Sequence, residues 1–553
     1  MPSLVLGPLL RHVDRTSATI WVETDAACRV TVTTGKSSPL GQTKTFHVGG
    51  HHYALVVVEG LQPGSTTPYE VHLGDTLVWP PADSTRPPSR IRTAGGSDAF
   101  SVVFGSCRYA TPLAITNAEQ EDFPPDALDS YSIKIAALPE EKWPDALVLL
   151  GDQVYADETT ESTKKYLASR RDLDKPPHDQ LANFEEFTYI YHQSWTDPDI
   201  RWLLSTIPSS MIFDDHDVID DWNTSAAWRT TINATDWWAD RVAGALGSYW
   251  IYQHIGNLAP DELRADSIFD QITSTDDGYD ALREMALEAD RNPSSIRWSY
   301  RRKWHTVRLV MIDSRAARSL QEDSRAMLDD EEFSWVEQTL VEAGNDGIEH
   351  VLVGSSLPWL MPPAIHDLEG WNAELARRFH GRRIGRWAEK VRQGADLEHW
   401  AAFRDSFDRL GAALESLGRG DHGEHGKAPS SLLVLSGDVH HAYVAEVVEP
   451  KDITSRIYQL TCSPVHNEVP HPMVQTFKIG WSKPAIAITA ALRRLARVPK
   501  TRLRWRKRSG PFFGNELAVL TLDGTRAQVR FEKAETGEDG KPMLRTVFDG
   551  RLT

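Results

Sequence analysis

Six short apolar runs in this chain each end on groups able to bind a metal or an anion. They are "AFSVVFGSC" with Arg108 behind it, "DALVLLGD" ending in Asp152 with Tyr155 three positions on, and "SSMIFDDHD" carrying Asp214, Asp215, His216 and Asp217. The others are "TVRLVMIDSR" ending in Asp313, Ser314 and Arg315, "EHVLVGSSLPW" with Ser355 and Ser356, and "SLLVLSGDVHH" with Asp438, His440 and His441. Short apolar runs flanked by polar, often helical, sequence predict strands covered on both faces, as in α/β architecture. In such folds ligands bind outside the carboxyl ends of the strands, so six endings of this kind on one rim would build one site.

The donor types narrow the chemistry. Carboxylates gathered together repel and raise one another's pKa, and a multivalent cation removes that penalty. Thiolate and imidazole suit iron or zinc, whereas oxygen donors suit calcium, magnesium or manganese. A site with both kinds predicts two or more metals. Paired metals clamp a phosphoryl group and lower the pKa of a water between them, which is the chemistry of phosphoester hydrolysis. Arg108 and Arg315 are candidates to grip phosphate bidentately, with structural salt bridges as the alternative. His441 is divided between substrate contact and core hydrogen bonding. Asp214 and Asp217 are either ligands or supports, and His466 and Asn467 are candidates to line the cleft.

The motifs "GDQVYAD", "FDDHDVIDDW" and "SGDVHHAY", preceded by "FGSCRY", resemble the alkaline phosphatase D (PhoD-like) branch of the calcineurin-like metallophosphoesterases. The resemblance covers most of the chain. It implies an α/β fold, a β-sandwich flanked by helices in α-β-β-α layers, behind an all-β immunoglobulin/fibronectin-III-like domain. It implies hydrolysis of small phosphate esters by a metal-activated water, with Fe3+ and Ca2+ as cofactors and Zn2+, Mn2+ or Mg2+ as alternatives for the second metal. Asp152 resembles the bridging carboxylate, Tyr155 the phenolate on ferric iron, Cys107 the thiolate of this branch and His440 the last histidine on the iron. Asp215 and Asp438 resemble ligands of the harder cation. His216 resembles the histidine that stabilises the phosphoryl transition state or protonates the leaving group, and with Asp152 it forms the expected catalytic pair. Asp215 stands where many members of the superfamily have asparagine, Asp438 where they have histidine, and Ser355 or Ser356 where another histidine is common. These departures trade nitrogen for oxygen and favour calcium over zinc. The rival readings are a phospholipase D-type phosphodiesterase and an inactive binding scaffold.

Residues 1–95 read as all-β, with about seven short strands and a turn at Pro63-Gly64, as in an immunoglobulin-like sandwich. A Pro-rich stretch, "WPPADSTRPPSR", precedes a boundary near residue 95, and 96–553 form the catalytic domain. The long segment between "DDWN" and "GSSLPW" reads as a lid over the cleft. The tail, 516–531, reads as a hairpin turning at Asp523-Gly524.

A net charge of −18 argues against nucleic-acid binding. Within this acidic chain, 487–508, "AITAALRRLARVPKTRLRWRKR", is a basic patch. Its first half reads as an amphipathic helix, and the patch reads as a contact for anionic lipid or an acidic substrate, or as a solvated helix paired with acidic residues elsewhere. Three cysteines do not make a disulfide framework. The N-terminus lacks a leader pattern and no run is long enough to span a bilayer, so the expected location is cytoplasmic, with an exported mature form as the alternative.

Overall fold

The computed structural model describes every residue except 35–38, 96–98, 111–122, 423–425, 449–451, 468 and 470. The N-terminal region is a sandwich of two four-stranded sheets. One orders Leu4–Val13, Ala18–Thr24, His51–Val58 and Phe46–Val48; the other orders Gly41–Lys44, Arg29–Thr33, Glu70–Leu73 and Thr76–Trp79. Alternation along each strand sends Ile20, Val22, Val30, Val32, Val56 and Val71 into the space between the sheets. The strand Ala18–Thr24 is nevertheless buried at all seven positions. Its other face, with Leu9, Trp21, Tyr53 and Leu55, belongs to the core of the catalytic domain. The first sheet is therefore an internal layer of the molecule. The last strand of the sandwich region, Arg90–Arg92, and the first catalytic strand, Ala99–Gly105, lie either side of the expected boundary near residue 95.

The seam between the two regions is polar as well as aromatic. Arg11, buried, donates to the Gln253 carbonyl at 2.7 Å and to Asn257 Oδ1 at 2.9 Å. The Glu23 carboxylate accepts from His51 Nδ1 at 2.9 Å, from His192 Nε2 at 2.8 Å and from the Tyr252 hydroxyl at 2.9 Å. His51 turns its other nitrogen to Glu185 at 3.0 Å. Both partners of His51 are carboxylates, so both its nitrogens donate, which is the imidazolium form. Burial alone would lower the His51 pKa and raise that of Glu23; hydrogen bonds to Glu23 and Glu185 reverse the first direction, and those from His192 and His51 reverse the second.

These shifts give the seam a pH window. A histidine raised by folding contributes stability fully below its unfolded value of ~6.5 and loses it as pH rises through the folded value. A depressed glutamate contributes above its unfolded value of ~4.3 and loses the contribution as pH falls through the folded value. The seam is strongest between these limits. The difference in urea midpoint between wild type and Glu23→Gln is expected to shrink as pH rises from about 6 to about 9; a difference independent of pH would contradict the assignment.

The catalytic domain has two further sheets. A six-stranded sheet orders Ser209–Ile212, Ala146–Leu150, Ala99–Gly105, Glu516–Asp523, Arg526–Thr536 and Pro542–Arg551. A seven-stranded sheet orders Tyr300–Trp304, Val307–Ile312, His350–Ser355, Ser431–Ser436, Arg456–Thr461, Ala442–Val447 and Trp505–Phe512. All six apolar runs are strands, and within each sheet they run parallel. They are divided three and three, however, so the site lies where two sets of strand ends meet and not on one rim. Period-2 geometry explains why each run is apolar throughout. In the second sheet Leu309, Met311, Leu352, Leu433 and Leu435 face the core shared with the first. Their neighbours Val310, Ile312, Val351, Val353, Leu432 and Val434 form a second core with Phe333, Val336, Leu410 and Leu414, which lie on the helices Asp330–Asn345 and Arg404–Arg419.

One expectation needs correction here. The segment after "DDWN" is not a lid. Its helices, among them Trp238–Tyr249 and Tyr279–Arg291, place Trp250, Tyr252, Ile255 and Leu282 in the core that includes the seam, and no residue between 222 and 360 lines the cleft described below. The first half of the basic stretch 487–508 is the expected helix, Lys483–Leu495, and its last four residues begin the strand Trp505–Phe512, where Arg506 pairs with Glu446 at 2.7 Å beside the strand Ala442–Val447. The tail forms the expected hairpin, with Gly524 at φ 58°, and adds a third strand, Pro542–Arg551.

Candidate active site

The candidate ligands lie within a few residues of strand carboxyl ends. Cys107 follows Ala99–Gly105, Asp152 follows Ala146–Leu150, Asp215 follows Ser209–Ile212, and Asp438 and His440 follow Ser431–Ser436. Cys107 (φ 59°), Asp152 (50°), Asp438 (66°) and His440 (47°) all adopt left-handed backbone. Such conformations cost about 1–3 kcal/mol each and persist where the surroundings over-determine them, as at functional sites. Two glycines make the turns possible. Gly151 has φ 106°, and a Cβ there would lie 2.5 Å from Asp214 Cβ; a Cβ on Gly437 would collide with Ser106 Oγ. This crowding explains the glycines of the Gly151-Asp152 and Gly437-Asp438 pairs. Asp217 ties two of the loops together: its carboxylate accepts the backbone N–H of Asp152 and of Asp214, each at 2.9 Å, and those of Gln153 at 3.2 Å and Val154 at 3.3 Å. It is a support for ligands.

The side chains converge. Cys107 Sγ lies 3.2 Å from Asp152 Oδ2 and 3.7 Å from the Asp438 carbonyl, with Ser463 donating to the sulfur at 3.1 Å. One carboxylate oxygen from each of Asp152, Asp214 and Asp215 lies within 4.8 Å of the others. Asp152, Asp215, His216, Asp438 and His440 line a cleft of about 1020 Å³. Cys107 and Tyr155 are fully buried and do not line the cleft, and the Tyr155 ring stacks on the cleft residue His216 with centroids 4.5 Å apart. Asn467, also at the cleft, donates to the Tyr155 hydroxyl at 2.9 Å. Burial, then Asp214, pushes the Asp152 carboxyl well above its ordinary range; burial, then Asp152 and Asp438, does the same to the Cys107 thiol. Burial, then His216, lowers His440 to about 4, which keeps its imidazole neutral.

The donor set fits cations. Asp152 Oδ1, Asp214 Oδ2, Asp215 Oδ1 and His440 Nδ1 are buried and have no hydrogen-bond partner. Buried polar atoms of folded proteins are nearly always satisfied, and ligand atoms without hydrogen bonds gathered in this region fit a bound cation, although Asp215 Oδ1 also has the Arg315 guanidinium 3.2 Å away. Thiol, phenol, imidazole and carboxylate together suit one softer and one harder ion.

The three expected substrate contacts sit behind this surface. Arg108 donates to Asp126 at 2.7 Å and to the Ser194 carbonyl at 3.0 Å. Arg315 is fully buried among Asp214, Asp215, Glu398 and Asp438; its Nη2 lies 3.2 Å from an oxygen of Asp215, without hydrogen-bond geometry, and 3.2 Å from Asp438. His441 donates from Nδ1 to the Val439 carbonyl at 2.7 Å and packs on Phe477 at 4.0 Å. None of the three lines the cleft. Each faces a carboxylate, a carbonyl or a ring inside the protein, and that is why none is turned to the cleft. Ser356 likewise supports, donating to Asp214 at 3.0 Å.

Sequence reading missed Glu369, Glu398 and His399. His399 donates from Nε2 to Asp438 Oδ2 at 3.2 Å, and its Nδ1 meets Glu369 at 2.8 Å. Against the effect of burial, these bonds and Arg315 hold the Asp438 carboxyl well below the usual range. The only sequence signal was the "EHW" triplet, which carries no strand pattern. His216 is also oriented from below: its Nδ1 meets Asp157 at 2.9 Å.

Residues 131–508 match the family model described as PhoD-like phosphatase, and residues 1–91 match a domain of unknown function, DUF7800. No curated protein matches the chain. Among solved structures the chain is similar to PhoD, with 11% identity and a TM-score of 0.58, over 99% of this chain and 92% of that one. It is also similar to the purple acid phosphatase PPD1 from seeds of yellow lupin (Lupinus luteus), with 10% identity and a TM-score of 0.49, over 98% of this chain and 74% of that one.

Proposed function

The chain belongs to the PhoD-like phosphatase family, and from that premise we propose that it hydrolyses phosphate esters, diesters in preference to monoesters, with two metal ions at the strand-end cleft. The observation that carries the reading is the convergence of orphaned ligand atoms from Asp152, Asp214, Asp215 and His440. Cys107, Tyr155, Asp152 and His440 would hold the softer ion, ferric iron in the first instance; Asp152, Asp215 and Asp438 would hold the harder one, calcium in the first instance. Bound there, the ions supply Lewis-acid polarisation of phosphoryl oxygens and a water of lowered pKa.

The protein's own groups do the rest. Asp157 fixes the His216 ring through Nδ1, leaving Nε2 to hold a proton for the departing oxygen. Asn467 and the stacked His216 ring lock the Tyr155 phenol in place. Glu369 and His399 orient the Asp438 carboxylate. The preference for diesters comes from the cleft lining, where Glu158, Asp179, Asp220, Asp221 and Asp396 face a single lysine, Lys164; burial, first of all, pushes Asp396 up to about 6, Asp220 to about 7 and Asp221 to about 9, so the repulsion grows with pH. A dianionic monoester meets more repulsion there than a monoanionic diester.

Steady-state assays test both points. Wild type is expected to hydrolyse a bis-aryl phosphodiester with a kcat/KM at least about tenfold above that for the aryl monoester, the ratio that about 1.4 kcal/mol of added repulsion produces. His216→Ala is expected to lose about 10²–10⁴ in kcat, with the larger loss on esters of poor leaving groups. Faster monoester turnover would refute the preference. Equal losses on good and poor leaving groups would refute the proton-donor role.

A further inference from the structure

Five of the nine large apolar side chains exposed on the described surface lie on three helices beside the cleft. Ile384 and Trp387 are on Arg383–Gly394, Ile479 is on His471–Gly480, and Ile488 and Leu495 are on Lys483–Leu495. On the last helix the solvent-facing positions include Pro484, Ala487, Ile488, Ala491 and Leu495, which is helical spacing on one face. Ordinary surface helices bury the apolar stripe and expose the polar one. Here Arg493 is turned inward instead, 2.9 Å from Asp367, and the apolar stripe is left in water.

Two of these helices flank Pro363–Arg378. Asp367 holds Lys483–Leu495 on one side, and Asn372 holds Arg383–Gly394 on the other by donating to the Ala388 carbonyl at 2.9 Å. Five residues on an α-helix are about 140° apart, so the two helices flank the central one. Trp371 lies between them, in edge contact with Trp387. The central helix gives Ile365 and Leu368 to the cleft, and His471–Gly480 gives Met473 and Phe477. The apolar surface therefore borders the mouth of the site. Its exposed rim carries Arg382, Arg383, Lys390, Lys483, Arg494 and Arg497, none in an ion pair among the described residues.

We propose that this face docks the protein onto an anionic lipid bilayer, with the isoleucine, leucine and tryptophan side chains in the headgroup layer and the basic rim against lipid phosphates. No described helix is long and apolar enough to cross a membrane, so the contact is with the surface. The combination of apolar stripe and unpaired cations is complementary to an anionic interface. A second copy would set the same cations against each other, and a nucleic acid would leave the apolar stripe without a partner. The proposal stands independently of the hydrolytic reading.

Co-sedimentation of the full chain with vesicles tests it. Binding to phosphatidylcholine vesicles containing phosphatidylglycerol is expected to be at least about tenfold tighter than to phosphatidylcholine alone, and to weaken with salt. Ile488→Asp with Leu495→Asp should abolish it, and Arg383→Glu should weaken it, while circular dichroism and hydrolysis of a soluble bis-aryl diester stay at wild-type values. Equal binding to the two vesicles, or none, would overturn the proposal. So would concentration-dependent self-association that Ile488→Asp removes, because the face would then meet a second copy.

Discussion

Asp152→Asn is expected to lower turnover by about a thousandfold or more and to strip metal from the same preparation. The several kcal/mol of charge stabilisation that a cation supplies to a phosphoryl transition state correspond to about three decades in rate. The substitution is a clean probe of the site. Asparagine has the shape of aspartate and is among the residues that tolerate left-handed backbone, so φ 50° at this position does not by itself strain the variant. The Cys107 thiol at 3.2 Å retains an acceptor in the amide oxygen. What disappears is one negative charge at the point where Cys107, Asp214 and Asp215 approach. A folded Asp152→Asn variant with wild-type metal content and turnover would show that the carboxylate does not hold the ions.

The second large effect is on stability. Arg315→Met should destabilise the metal-free protein by about 3–5 kcal/mol, the usual result of removing one partner from a buried charge network. The guanidinium is fully buried and is approached by Asp214, Asp215, Glu398 and Asp438. Without it four carboxylates face one another, with Arg318 bound to Glu398 and His399 bound to Asp438. Added metal should recover part of the loss, because cations at Asp215 and Asp438 replace some of the missing charge. Denaturant titrations with and without metal measure this. If Arg315 instead gripped substrate phosphate, the variant would keep its stability and raise KM, and that outcome would contradict its placement behind the cleft.

Arg315 also shows where sequence stops being legible. An arginine at a strand end looks the same whether it faces phosphate or buried carboxylates. Only the count of acids around it decides, and those acids come from segments 101, 100, 83 and 123 residues away. The strands and the Gly-Asp turns were legible because apolar runs and crowded glycines are local facts. The assignment of strands to two sheets was not, because Val310 and Met311 are equally apolar although one faces helices and the other faces the first sheet. His399 was hidden for a related reason: it lies in a short segment between helices and acts on Asp438 across 39 residues. The segment after "DDWN" read as a lid because sequence cannot reveal that the N-terminal sandwich presents a second apolar face, through Trp21 and Tyr53, for Tyr252 to meet.

The convergence of Cys107, Asp152, Tyr155, Asp215, Asp438 and His440 on bound cations is tested most directly by anomalous scattering. Difference maps should be recorded at the iron edge, and at a wavelength sensitive to calcium, from crystals of protein that is active in solution. Peaks on the cleft floor between Asp152 and the strand ends bearing Cys107 and His440, and between Asp215 and Asp438, are the expected result. Active protein with no peak there, or with its metal only at the Glu23, His51 and His192 cluster in the seam, would contradict it.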